Sequence, residues 1–143
     1  ARGGWIGLTA RHKRADMIRA VIEGVCYSQK DGLEIIEQMG VPVRSVRLSG
    51  GGSHSSLWRQ VLADVFNKRA VLLGSQEGSA YGAALLALVG SGAYSSVEEA
   101  CSAAIREVES ILPRPAEAQR YQQWHKTYQA LYPALKPVYG MIT

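Results

Sequence analysis

The segment from Arg47 to Gln60, RLSGGGSHSSLWRQ, constrains this chain more than any other, because it joins a short strand to a helix through three consecutive glycines. Val46 and Leu48 alternate with polar neighbours as a strand requires, while Leu57, Trp58, Val61, Leu62, Val65 and Phe66 recur at helical spacing. Gly50, Gly51 and Gly52 carry no Cβ, so they tolerate positive φ and leave the main chain bare to a flat or charged ligand. Ser55 or Ser56 is placed to cap the helix that follows, whose unpaired N–H groups favour an anion. Such a turn suits a nucleotide site, and it equally suits a plain tight connection between strand and helix.

The rest of the chain gives that turn an alternating α/β setting. The spacing predicts a long helix over 14–39 whose apolar face, Ile18, Val21, Ile22, Val25, Leu33, Ile36 and Met39, is expected to be well buried. Gly24 and Gly32 interrupt it, and close approach by another element would offset their cost of about 1 kcal/mol each. A strand over 45–49, a helix over 56–66 and a second strand over 70–73 follow. After a turn at 74–78 come an Ala- and Gly-rich helix over 79–89, a helix over 97–108 behind two overlapping capping boxes (Ser95 with Glu98, Ser96 with Glu99), and a last helix over 116–132 closed by Pro133 and Pro137.

Two strands among five helices are too few to shelter so many apolar faces, so the chain reads as part of a larger domain whose earlier strands lie upstream. With 143 residues, 47% apolar and 20% charged, it is otherwise an ordinary soluble globular composition. No apolar run approaches the ~18 residues that span a bilayer, and no signal peptide opens the chain, so a cytoplasmic protein without membrane contact is expected. The net charge of +4 does not point to nucleic acid. Only Arg11 to Arg14 form a tight basic run, and the remaining cations are interspersed with acids.

Few other residues offer chemistry. Asp16 and Asp64 sit on helices among polar neighbours and read as solvated or capping groups. His12, His54 and His125 are too dispersed for metal-ligand spacing, and only His54, in the glycine turn, is placed to touch a nucleotide. Cys26 and Cys101 have no partner cysteine nearby and read as buried thiols. Tyr121, Trp124 and Tyr128 share one helix face and are expected to pack against the rest of the domain rather than stack on bases.

Three segments together resemble a known family. GGWIGL at 3–8, followed after seven residues by DMIRAVIE at 16–23, resembles the C-terminal signature of the FGGY carbohydrate kinases. The run from Leu48 to Asp64 resembles that family's adenosine-binding turn and helix, and EGSAYGAALLA at 77–87 resembles the segment after it. The wording is nearest to the family's xylulokinase branch. The resemblance implies an actin-like (ribonuclease H-like) ATPase fold, with residues 1–143 forming part of the C-terminal domain. It also implies transfer of the ATP γ-phosphoryl group to a sugar hydroxyl, D-xylulose by the nearest branch, with Mg²⁺ held outside this segment. The partner it implies is an N-terminal domain of the same polypeptide, and it leaves room for a homodimer. Only the adenosine role transfers to residues present here: Gly50, Gly51 and Gly52, with Ser55 and Ser56 where other members place adenine-facing polar groups. No catalytic residue transfers. The other reading is a non-catalytic actin-like nucleotide-binding or interaction module.

The shortage of strands predicts exposed apolar surface on the isolated chain. A hydrophobic dye is expected to bind it, and a sharply cooperative thermal melt without dye binding would contradict that expectation.

Overall fold

The computed structural model describes residues 3–74 and 78–142. Ser75, Gln76 and Glu77 of the expected turn at 74–78, the last of which also opens the third resembling segment, lie outside the described residues. The elements are α1 (Arg14–Gln38), β1 (Ser45–Leu48), a 3₁₀ turn (Gly51–His54), α2 (Ser56–Phe66), β2 (Arg69–Leu73), α3 (Gly78–Gly90), α4 (Val97–Ala104), β3 (Glu107–Ile111) and α5 (Pro115–Tyr139).

The sheet order is β1-β2-β3. β1 and β2 are parallel, with Ser45 opposite Arg69 and Leu48 opposite Leu72, and α2 is the crossover between them. β2 and β3 are antiparallel, with Ala70 opposite Ile111 and a bulge between Leu72 and Leu73. This third strand corrects the expectation of two. The helix expected over 97–108 stops at Ala104, because Ile105 turns to extended φ/ψ and the chain re-enters the sheet. Four of β3's five residues are exposed, so no apolar alternation announces it. Its antiparallel ladder to β2 holds it, flanked by ion pairs from Arg59 to Glu109 and from Arg69 to Glu107.

The core is built around α2. Val61, Ala63 and Val65 are wholly buried, joined by Leu62 and Phe66, with Cys26 and Tyr27 of α1, Leu48 and Ala70 of the sheet, and Tyr121 of α5 packed around them. At roughly 1.5–3 kcal/mol for each large side chain removed from water, this cluster is the main stabilising term. The expected burial of α1 is corrected. Ile22 and Leu33 pack on the core, but Ile18, Val21, Val25, Ile36 and Met39 are exposed, as are Trp5, Ile6 and Leu8 before the helix. A helix that meets neighbours along one narrow line leaves the flanks of a broad apolar face open. The compensation expected at Gly24 and Gly32 is also missing, since nothing described lies within 4 Å of the position a Cβ would take at either.

α5 continues seven residues past the expected end. Pro133 and Pro137 lie inside it, four residues apart and both exposed. The carbonyls they leave unpaired, those of Gln129 and Pro133, belong to exposed residues and are open to water, so the helix tolerates the missing donors. Tyr121 behaves as expected for a packing residue: its ring is buried edge-on to Tyr27, and its hydroxyl donates to Glu23 at 2.7 Å and accepts from Arg19 at 2.8 Å. Trp124 does not, because it is about half exposed and carries Arg120 over its ring. At the start of α4, Ser96 accepts from the Glu99 amide as a cap, and the Glu99 carboxylate accepts from the amide and hydroxyl of Ser95. Glu98 stays exposed.

Asp64 departs furthest from expectation. It is wholly buried rather than solvated, and it accepts from the Arg114 amide at 2.7 Å, from the Arg114 guanidinium at 3.0 and 2.6 Å, and from Gln60 at 3.0 Å. The carboxylate thus ties α2 to the N-cap of α5. Asp16 does cap, accepting from the Lys13 amide at 2.7 Å.

Two outcomes follow from this packing. Asp64→Ala is expected to lower unfolding stability by about 3 kcal/mol, because it strips an amide and a guanidinium of their shared acceptor. Asp64→Asn, which keeps one acceptor, should cost less, and urea melts of both variants check the ranking. Burial pushes the Cys26 thiol up to about 11, whereas Cys101 is partly exposed. A disulfide reagent at neutral pH should therefore find one fast thiol in the native chain and two after unfolding.

Candidate functional site

The glycine turn lies at the carboxyl end of β1, the edge of a parallel strand pair where open α/β sheets place their ligands. Its three glycines differ in what the protein itself demands of them. Gly50 has φ 79° and ψ −177°, a conformation an L side chain rarely adopts. At Gly52 a Cβ would stand 3.3 Å from the Trp58 ring, tighter than ordinary contact. Gly51 has neither constraint: its φ is not positive, it is exposed, and nothing described lies within 4 Å of a Cβ built there.

The turn is stiff. The buried Ser53 donates from its amide at 3.0 Å and from its hydroxyl at 2.7 Å to the Gly50 carbonyl. The Ser55 amide donates to Gly52 at 3.2 Å, and the Ser55 hydroxyl accepts from the Trp58 amide at 3.3 Å as the N-cap of α2. Ser55 is therefore a capping residue first. Ser56 opens α2 and is exposed. His54 is exposed at the end of the 3₁₀ turn.

The structure also brings α3 to this edge. A Cβ on Gly78 would stand 3.5 Å from the Ser49 hydroxyl, so the start of α3 sits beside the end of β1. At the carboxyl end of β2, Leu73, Gly74, Tyr81, Ala104, Ile105 and Arg106 line a cavity of about 230 Å³, walled where the Tyr81 hydroxyl donates to the Ala104 carbonyl at 2.8 Å. Sequence reading did not anticipate this cavity, because its far wall comes from the bend into β3.

A second group of polar side chains lies between α1 and α5. His125 is buried, with Nε2 2.8 Å from Asp31 and Nδ1 3.5 Å from Glu34. The three residues offer ligand atoms within 4.8 Å of one another. Gln129 already donates to both carboxylates, and Lys30 stands 3.5 Å from Glu34, so the protein's own groups already hydrogen-bond both acids and pair one of them. The i, i+3 acids were visible in sequence, but their histidine arrives from a helix 94 residues later.

Residues 1–91 match the model for the C-terminal domain of the FGGY family of carbohydrate kinases. The chain is 37% identical over 135 residues to the xylulose kinase of Staphylococcus epidermidis, covering 94% of this chain and 27% of that protein. Its structure superposes on the ligand-bound xylulose kinase of Lactobacillus acidophilus with a TM-score of 0.91 at 29% identity, over 100% of this chain and 29% of the other. The gluconate kinase of the same organism gives 0.89 at 30% identity, again over 100% and 29%. The chain thus spans little more than a quarter of its relatives' length. The third strand does not disturb the expected class, a helix-rich α/β segment of an actin-like ATPase fold. From the matching domain model and from this superposition, the chain belongs to the FGGY family of carbohydrate kinases.

Proposed function

We propose that residues 1–143 form part of the C-terminal domain of an ATP-dependent sugar kinase and that the glycine turn receives the adenosine of ATP. The observation that carries this reading is Gly51, a bare and exposed backbone position at the carboxyl end of a parallel strand, where the packing of the described residues does not require a glycine. Gly50 and Gly52 shape the turn, and Ser55 and Ser56 present polar groups at its helix end. A flat adenine or ribose can then lie against main chain with no Cβ between.

Phosphoryl transfer depends mainly on positioning and charge stabilisation. The part taken by this chain is to fix the nucleotide's adenosine end, so that the γ-phosphate is presented at a set distance and orientation. Mg²⁺, when bound, would neutralise charge on the phosphate oxygens from a site on another part of the polypeptide. The sugar, its base and the partner N-terminal domain belong to that remainder. D-xylulose is the sugar proposed, on the strength of xylulose kinases among the relatives; a gluconate kinase aligns nearly as well, so gluconate is the rival substrate.

Two results test the reading in the full-length polypeptide. ADP release with ATP and Mg²⁺ should be stimulated by D-xylulose above L-ribulose, gluconate or glycerol. Absence of sugar-stimulated turnover in a folded protein would favour a non-catalytic nucleotide module. Gly51→Val should raise the KM for ATP by about tenfold or more through obstruction, with little change in the melting temperature. An unchanged ATP KM would remove the adenosine assignment.

A further inference from the structure

The glycine turn is braced from behind by one side chain. Arg59, one turn into α2, donates from Nη1 to the Ser53 carbonyl at 2.7 Å, and its Nη2 stands 3.0 Å from a carboxylate oxygen of Glu109 on β3. Ser53 is the residue whose amide and hydroxyl both close on Gly50. The bonds therefore run in series from the exposed edge strand, through the guanidinium, to the backbone of the turn. The arginine side chain is only 14% exposed, so water does not replace its partners freely. Lysine at this place would have to reach both partners from a single nitrogen, since an ammonium lacks the planar fork of two separated donor nitrogens.

We propose that Arg59, oriented by Glu109, is a positioning residue for nucleotide binding: it sets the Gly50–Ser53 backbone in the shape that receives the ligand. This rests on the adenosine reading of the turn given above. The guanidinium acts through the Ser53 carbonyl and is not a ligand contact. β3 thereby gains a role beyond completing the sheet, because the carboxylate that aims Arg59 is presented from its middle residue.

The test is steady-state kinetics of the full-length kinase with Arg59→Met, Arg59→Lys and Glu109→Gln, each set beside its melting temperature. Arg59→Met keeps the apolar stem and removes both bonds. It should raise the KM for ATP about fivefold or more, with the sugar KM and kcat within about twofold of the parent. Arg59→Lys and Glu109→Gln should give smaller rises in the same parameter. A merely structural arginine would lower the melting temperature and the active fraction while leaving the ATP KM of the remaining enzyme unchanged, and that outcome overturns the proposal. If Arg59→Met does not fold, the ATP KM of Glu109→Gln decides: a rise with the melting temperature retained supports the brace, and no change rejects it. Gly51→Val run alongside separates the two claims. A raised ATP KM in Gly51→Val but not in the Arg59 or Glu109 variants removes the brace alone, whereas no change in any of them removes the adenosine reading with it.

Discussion

The core of this chain is arranged around α2, whose second half, from Val61 to Phe66, is buried on every side. Val61, Ala63, Val65 and Asp64 are all without exposure, and the helix meets α1, α5 and the sheet at once. Because α2 is also the crossover between two parallel strands, fixing its axis fixes the edge from which β1 ends and the glycine turn begins. A buried carboxylate in such a place would ordinarily be costly, and Asp64 is tolerated because four donor groups meet it. It converts a desolvated charge into a fastening for α5, whose Tyr121 then closes the cluster over Tyr27.

The turn is tied to the same helix. Ser55 caps it, Trp58 backs Gly52, and Arg59 grips Ser53 one residue later, so three consecutive functions are read from the first turn of α2. A ligand edge built on loop residues alone would pay ordering entropy on binding. Here the backbone is already held, and what stays open is the bare surface of Gly51. The exposed apolar residues of α1 and of the segment before it point to a different kind of incompleteness, since the chain spans little more than a quarter of its relatives.

Much of this was legible in the sequence where local signals agreed. α2 begins and ends where the Ser55–Ser56 cap and the apolar spacing place it, and β1 differs by one residue. The family resemblance rested on motifs within the first 91 residues, which are also the residues the family model matches. What could not be read depended on distance. β3 is an exposed strand held by its backbone ladder to β2, so its own residues carry no periodic apolar signal. Asp64 looked solvated because its partner Arg114 is fifty residues away, and His125 looked isolated because Asp31 and Glu34 are on the opposite end of the chain. Pro133 and Pro137 misled for a subtler reason: two prolines four apart on an exposed helix face leave their unpaired carbonyls to water instead of ending the helix.

The proposed contact between the glycine turn and adenosine is open to a direct chemical test. Photo-labelling of the full-length polypeptide with 8-azido-ATP tests it most directly, because tryptic cleavage after Arg47 and Arg59 releases the whole turn as one peptide, Leu48 to Arg59. Label on that peptide, displaced by excess ATP, is the predicted result. ATP-protected label confined to other peptides, with Leu48 to Arg59 unmodified, would contradict the account.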